Sequence, residues 1–336
     1  MFAYLVSRLI SALGVLVILS VVTFAIIQAP AGDYGDYLRN QMVSQSGASS
    51  AAADAAVQTY RKEHGLDKSA PERYALWISG IVMHGDFGHS LFYNKPVAEV
   101  VAERLPRTLA LAVVCHLLAS TIGIGFGILA ATRQYSWIDS LLSFISFLGM
   151  TVPRFLMALV LVYLLVFKFD VSEIGNFYSP AYGGAPWSFG KFVDLLQHTW
   201  PVIAIATFGG LAYNMRVMRG NLLDTLNAQY VETAKAKGLS RSAVVLRHAV
   251  PNALHPLVMY QGVVLPYMLS GEIETAIIFT LPTVGPAIVG SMAVGDVQVT
   301  ATFMLVLAAT LLLGNILADL ALAWLDPRVR TRLGVA

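Results

Sequence analysis

Residues 229–256 read QYVETAKAKGLSRSAVVLRHAVPNALHP, a polar and basic island between long apolar runs. Gln229 to Lys237 are good helix formers, Gly238 breaks the pattern, and Ser240 is placed to cap a second helix from Arg241 to Val250, before Pro251. The spacing predicts two short helices joined at a glycine. Such an elbow is stiffer than a loop and presents its side chains in a fixed direction, which suits docking into a groove on a partner protein. The alternative is a solvated basic hairpin held only by anionic headgroups.

Outward from the island, the composition is that of a membrane protein. Of 336 residues, 57% are hydrophobic and 12% charged, against about 25% charged in a typical soluble domain. Leu9 to Gln28 (LISALGVLVILSVVTFAIIQ) carries no charge, and at ~1.5 Å rise this run covers the ~30 Å hydrocarbon core. A signal peptide has a shorter apolar run, about 7 to 15 residues. No small-x-small cleavage site precedes a soluble body, so the run reads as a retained first span. Further spans are expected at Leu109–Ala131, Ser143–Phe167 (interrupted by Pro153), Pro201–Val217, Leu257–Phe279 and Ala301–Leu325, making six helices. The segment between the third and fourth, rich in Gly, Pro, Tyr and Trp, reads as interfacial.

The organisation expected is therefore an N-terminal membrane helix over 1–30, an extracytoplasmic cap over 31–105, a core over 106–325 that includes the loop 218–256, and a tail over 326–336. In the cap, Ser50 can cap a helix through Ala51 to His64 that stops at Gly65, Pro71 can open another through Ile81, and a turn follows at Gly85–Gly88. Tyr60, Tyr74, Leu76, Trp77, Ile78 and Val82 need something to pack against, so the segment is expected to fold.

Charge fixes the orientation. With a cytoplasmic N-terminus, the inner segments carry Arg8, Arg133, Arg216, Arg219, Lys235, Lys237, Arg241, Arg247, Arg328, Arg330 and Arg332, and the short outer loops carry only Lys191 and, at the very edge of the third span, Lys168. That asymmetry satisfies the positive-inside rule and puts the island and both termini in the cytoplasm. The net charge of +2 implies no general attraction to nucleic acid. Cys115 excludes an internal disulfide and reads as a small packing residue. The seven histidines form no metal-spaced cluster, and no phosphate-binding Gly-rich loop or Gly-x-Ser-x-Gly elbow occurs. No ATPase or hydrolase signature is present.

Glu232-Thr233-Ala234, then Gly238, then Pro251 thirteen residues further on, resembles the EAA loop of binding-protein-dependent ABC importer permeases. Tyr230-Val231, the run AKAKGL from Ala234 to Leu239, Arg247-His248-Ala249 and Asn252-Ala253 resemble the dipeptide, oligopeptide and nickel branch, as a B-type permease. Thr233 departs from the motif's alanine, and His248 and Val250 from its isoleucine and leucine. The likeness extends over GDFGHS (Gly85 to Ser90), Pro96-Val97, Arg104-Leu105-Pro106 with Thr108-Leu109, Pro153 with Phe155, and Asn315, Asp319 and Leu325-Asp326-Pro327-Arg328.

The resemblance implies an all-α, six-span type I ABC importer permease fold with a small extracytoplasmic cap, in the bacterial inner membrane. It implies a second, homologous permease subunit, two cytoplasmic ATP-binding subunits that hold ATP and Mg, and an extracytoplasmic solute-binding protein. This chain itself would bind no cofactor. It would contact the ATPase through Tyr230, Glu232, Ala234, Lys237, Gly238, Leu239, Arg247, His248 and Asn252. In those roles Glu232 bonds a basic or amide group or braces the elbow, Ala234 keeps the contact face small, and Gly238 permits the bend. Solutes in that family are di- and oligopeptides, nickel chelates, oligosaccharides and opine-like compounds, with the binding protein setting much of the choice.

Charges inside spans need compensation, because insertion of one at mid-membrane costs at least ~2.5–3.5 kcal/mol. Arg154, Glu272 and Glu274 either line the solute pathway, the two acids attracting an amino group or another cation, or are paired or hydrated for structural reasons. The family's acid stands where this chain has Ala276. Asn315 and Asp319, one turn apart, are expected to bond across to another helix, and Gly123 with Gly127 permits close helix approach. The rival class is an ion-coupled secondary transporter using those carboxylates as proton sites; it calls for an inverted internal repeat, and none is seen. An intramembrane enzyme would need a nucleophile or metal set that the chain lacks.

Overall fold

The computed structural model describes residues 2–28, 34–46, 49–63, 65–171, 174–268 and 273–325. Helices dominate: α1 (Phe2–Gln28), α2 (Tyr34–Ser46), α3 (Ser50–Glu63), α4 (Ala70–Ser79), α5 (Val97–Thr132), α6 (Trp137–Thr151), α7 (Arg154–Phe169), α8 (Phe189–Leu226), α9 (Gln229–Ala236), α10 (Arg241–Ala243), α11 (Val250–Met268), α12 (Ile273–Ile278), α13 (Val284–Ala293) and α14 (Val297–Leu325). A two-residue antiparallel ladder pairs β1 (His89–Ser90) with β2 (Lys95–Pro96). The chain divides into two compact units, Met1–Arg107 with Thr283–Leu313, and Thr108–Pro282 with Gly314–Ala336.

In the first unit, the cap helix α4 seats on α1. Phe24 stacks on Trp77 at 5.8 Å and meets Tyr74 edge-on at 5.4 Å, while Ser20 Oγ and the Tyr74 hydroxyl share a hydrogen bond of 2.8 Å. Leu76 and Val82, expected to pack, are exposed instead, because the buried face of α4 is the Trp77 side. The first cap helix is met one residue early: Ser49 Oγ, not Ser50, accepts from Ala52 N. The second starts at Ala70, where Ser69 and Glu72 form a reciprocal capping box, and it runs into a π-type turn over Gly80–His84. The GDFGHS stretch is anchored by residues far along the chain. Asp296, only 1% exposed, accepts from Ser90 Oγ at 2.8 Å, Phe92 N at 3.0 Å and Val299 N at 3.3 Å. Gln298 Oε1 accepts from His89 N at 2.7 Å and lies 2.4 Å from where a Cβ on Gly88 would stand.

In the second unit, α8 is the central member, about 57 Å long at 1.5 Å per residue. Gly123 and Gly127 let α5 meet it. A Cβ on Gly123 would lie 2.6 Å from Leu211 O, and one on Gly127 would lie 2.6 Å from Met218 Cβ. Gly149 of α6 does the same beside Ala212, whose carbonyl also accepts from Ser146 Oγ at 2.8 Å. The segment before α8 is fastened down: buried Lys191 donates to Ala185 O at 2.6 Å with its ammonium 4.7 Å from the Tyr178 ring, and Asp194 accepts from Ser179 N.

Among the described residues, three helices are long and apolar enough to cross a membrane, within Val6–Ile26, Val97–Thr132 and Val297–Leu317. The pair α6 and α7, bent by 104° at Val152-Pro153, makes a fourth if it forms one span. Pro153 has no N–H to continue the ladder, so the break falls where the sequence marks it. Of the run expected over Leu257–Phe279, the described residues lie in α11, which already begins at Val250, and in the short α12; 269–272 lie outside the described residues. Helix α13, built on VGPAIVGSMA, was hidden by its glycines and proline.

The candidate coupling elbow and its supports

The elbow forms as two helices about a glycine. At the end of α9, Gly238 N donates to Lys235 O at 2.9 Å and Leu239 N to Ala234 O at 3.4 Å, the paired bonds of a Schellman C-cap. Gly238 has φ +75°, a left-handed value open to glycine, and a Cβ there would meet nothing within 4 Å. The bend alone requires the glycine. Ser240 Oγ then accepts from Ala243 N at 3.4 Å and starts α10.

Pro251 does not end this second helix, contrary to the sequence expectation. A π-type turn over Val244–Ala249 carries the chain into α11, with Pro251 as its second residue. Proline lacks an amide hydrogen and crowds the preceding turn, and the wider π turn accommodates both effects. The elbow thus continues without interruption into a long helix.

One face of the elbow is buried against its own chain. Val231, Ala234, Val244, Val245 and Ala249 form a core with Met218 and Leu222 of α8 and Ala131 of α5. Ala234, at 5% exposure, is therefore not on an outward contact face; its small size is needed inside, where α9 approaches α8. The other face is mixed. Tyr230, Leu239 and Leu246 are 46%, 43% and 60% exposed, among the exposed polar residues Glu232, Lys237, Arg247 and Asn252. Glu232 pairs with Lys235 at 2.6 Å on the surface, which braces α9 but adds little stability. His248 is half-buried, and its carbonyl accepts from Asn252 Nδ2 at 2.9 Å.

The elbow is also tied polar-wise. Asn221 Nδ2 donates to Ala253 O at 3.2 Å, and Arg241 Nη2 to Thr132 O at 2.7 Å. Nearby, Arg219 grips Asp139 with two bonds, of 2.6 and 2.8 Å. Neither arginine contact was foreseen. The Ser136-x-x-Asp139 helix start was readable as a capping signature, but its distant partner was not.

The intramembrane charges are less gathered. Arg154 is the first residue of α7, at the break, and not the middle of a continuous helix. It is half-buried, with Nε 3.2 Å from where a Cβ on Gly209 would be, so that glycine makes its space. Glu274 is exposed near the start of α12, and Glu272 lies outside the described residues. Asn315 is exposed on α14, so it is not buried in a helix seam of this chain, and the side chain of Asp319 lies outside the described set. No group of His, Cys, Asp and Glu is placed to hold a metal among the described residues.

Long apolar helices, glycine-permitted helix crossings and an elbow with one buried face and one polar, apolar-studded face define a helical membrane component. The chain belongs to the binding-protein-dependent transport system inner membrane component family: its model matches residues 123–331, and the N-terminal model for the same system's membrane component matches residues 1–112. The family's architecture is the type I ABC permease fold. Relatives align along almost their whole length. They include a probable peptide ABC transporter permease of Sinorhizobium fredii, 30% identical over 97% of this chain and 99% of its own. A putative peptide permease of Brucella suis is 32% identical, and the oligopeptide transport system permease protein AppB of Bacillus subtilis 31%, each over 98% of this chain and 99% of theirs. The chain is thus an inner membrane, multi-pass transport component.

Proposed function

We propose that this chain is one permease subunit of an ATP-driven importer of di- or oligopeptides or a similar small solute. It pairs with a second, related permease, and together they enclose the pathway with six spans each and cytoplasmic termini. Two ATP-binding subunits, holding ATP and Mg, seat the elbow in a cleft; the chain carries no nucleotide site of its own. An extracytoplasmic binding protein delivers the solute. The peptide assignment rests on the names of the relatives, and the orientation on the distribution of basic residues.

The observation that carries this reading is the two-faced elbow. Its inner face is occupied by the chain's own core, while Tyr230, Leu239 and Leu246 stand exposed among basic residues on the other. Apolar studs on a polar helical surface are the anchors expected of a groove-docking element. Leu246→Asp tests it directly, since that side chain contributes nothing to the buried core. The variant should insert normally but fail to retain the ATP-binding subunits on purification and fail to import. Normal retention together with normal ATP-dependent uptake would overturn the reading.

A further inference from the structure

The corner joining α5 to α6 is held by two arginines from different elements. At its far end, Asp139, 4% exposed, receives Arg219 Nε on Oδ1 and Nη2 on Oδ2, and also accepts from Tyr135 N at 2.9 Å. At its near end, Thr132 is the last residue of α5, and its carbonyl accepts from Arg241 Nη2 at 2.7 Å. A terminal helix carbonyl has no partner within the helix and lies at the negative end of the helix dipole, so a guanidinium bonds it with charge assistance. Arg241 opens the second helix of the elbow, and Arg219 lies on α8.

The two kinds of attachment differ mechanically. The buried elbow core is apolar, and apolar contact is non-directional, so it favours no one direction of displacement. The Arg241 bond has a direction and a length. The corner it holds leads straight into α6, which ends at the 104° break before α7. The Arg219–Asp139 pair makes the start of α6 a fixed part of that corner.

We propose that Arg241 is a positioning residue through which displacement of the elbow is passed, by way of Thr132 O and the 132–139 corner, to the α6–α7 pair. It is an internal coupling contact, separate from the surface that meets the ATP-binding subunit, and it rests on the importer reading above. Arg241 is exposed, so its truncation leaves no cavity.

The test uses the complete importer in proteoliposomes with its binding protein and radiolabelled trialanine as the probe. Arg241→Ala should keep its ATP-binding subunits and its stimulated ATP hydrolysis, yet import at least roughly fivefold less trialanine per ATP, the lower end of ordinary intersite coupling. Arg241→Lys, which keeps a charged donor, should recover most of the ratio. An unchanged ratio in Arg241→Ala overturns the proposal, as does loss of the ATP-binding subunits, which would make Arg241 part of the docking face. A second readout does not need transport. Hydrogen exchange across 132–139 should change when wild type is trapped with ATP and vanadate, and that change should vanish in Arg241→Ala; its persistence refutes the contact's role. Wild-type complex that fails to import trialanine would exclude that tripeptide as a solute, and the exchange measurement, which needs no transport, would still decide this proposal.

Discussion

Gly238 shows how much one position can hold. Its φ of +75° lies where L side chains are strained, and the open space around it means that strain, not collision, is the whole cost of a substitution. A non-glycine residue there costs roughly 1–2 kcal/mol, less for asparagine and more for a β-branched side chain. Gly238→Val should therefore insert but lose most uptake, whereas Gly238→Asn should retain most of it; equal uptake by the two variants would remove the bend from the mechanism. This role was legible because a glycine between two helix-forming runs has few other uses. Ala234 was misread for the complementary reason: a small residue in a docking motif can be small for either face, and only the packing of α9 on Met218 and Leu222 shows that it points inward. Gly123 and Gly127 were read from their spacing alone, and Leu211, Met215 and Met218 turn out to be what they accommodate.

Among the elements, α4 offers a start signal that responds to pH. The Ser69 hydroxyl and amide both donate to Glu72, at 2.8 and 3.0 Å, and hold its carboxyl below the ordinary glutamate range. A depressed acid contributes stability above its unfolded value and loses it as pH falls through the folded one. Amide protection in the first turn of α4 should thus be complete near neutrality and decline only below the normal titration of glutamate, near 4.5. Glu72→Gln, which still accepts a hydrogen bond but carries no charge, should flatten that profile; an unchanged profile would dissociate the helix start from Glu72. Capping boxes and proline breaks are local chemistry, which is why the start of α4 and the 104° break at Pro153 fall close to their expected places, whereas α6 starts at Trp137, six residues ahead of the expected Ser143. The π turn before Pro251 was not, since a proline that ends a helix and one tolerated by a widened turn carry the same letters.

For the molecule as a whole, distant segments decide what stays together within a unit. In the first unit, Asp296 joins the GDFGHS stretch to the start of α14 across about two hundred residues of chain, and its carboxylate serves three donors while buried. Leaving a buried donor unsatisfied costs ~1–3 kcal/mol. Asp296→Ala should lower the thermal midpoint of the detergent-solubilised protein by several degrees and quicken proteolysis within 31–105; a midpoint and digestion pattern like wild type would refute the anchor. The membrane class and the family were legible from apolar runs and motif order. Asp296, Arg219 and Arg241 were not, since each gains meaning from a partner far along the chain: Asp296 in the GDFGHS stretch, Arg219 at Asp139 and Arg241 at Thr132.

The bond from Arg241 is made to a main-chain oxygen, and this has an evolutionary consequence. Every amino acid supplies that carbonyl, so residue 132 can drift among helix-compatible side chains without breaking the contact. Selection then acts on one partner only, for the length and charge of the side chain at 241. Homologues should keep a long cation at 241 while varying freely at 132, so paired-substitution statistics would pass over a joint that a single-column constraint reveals.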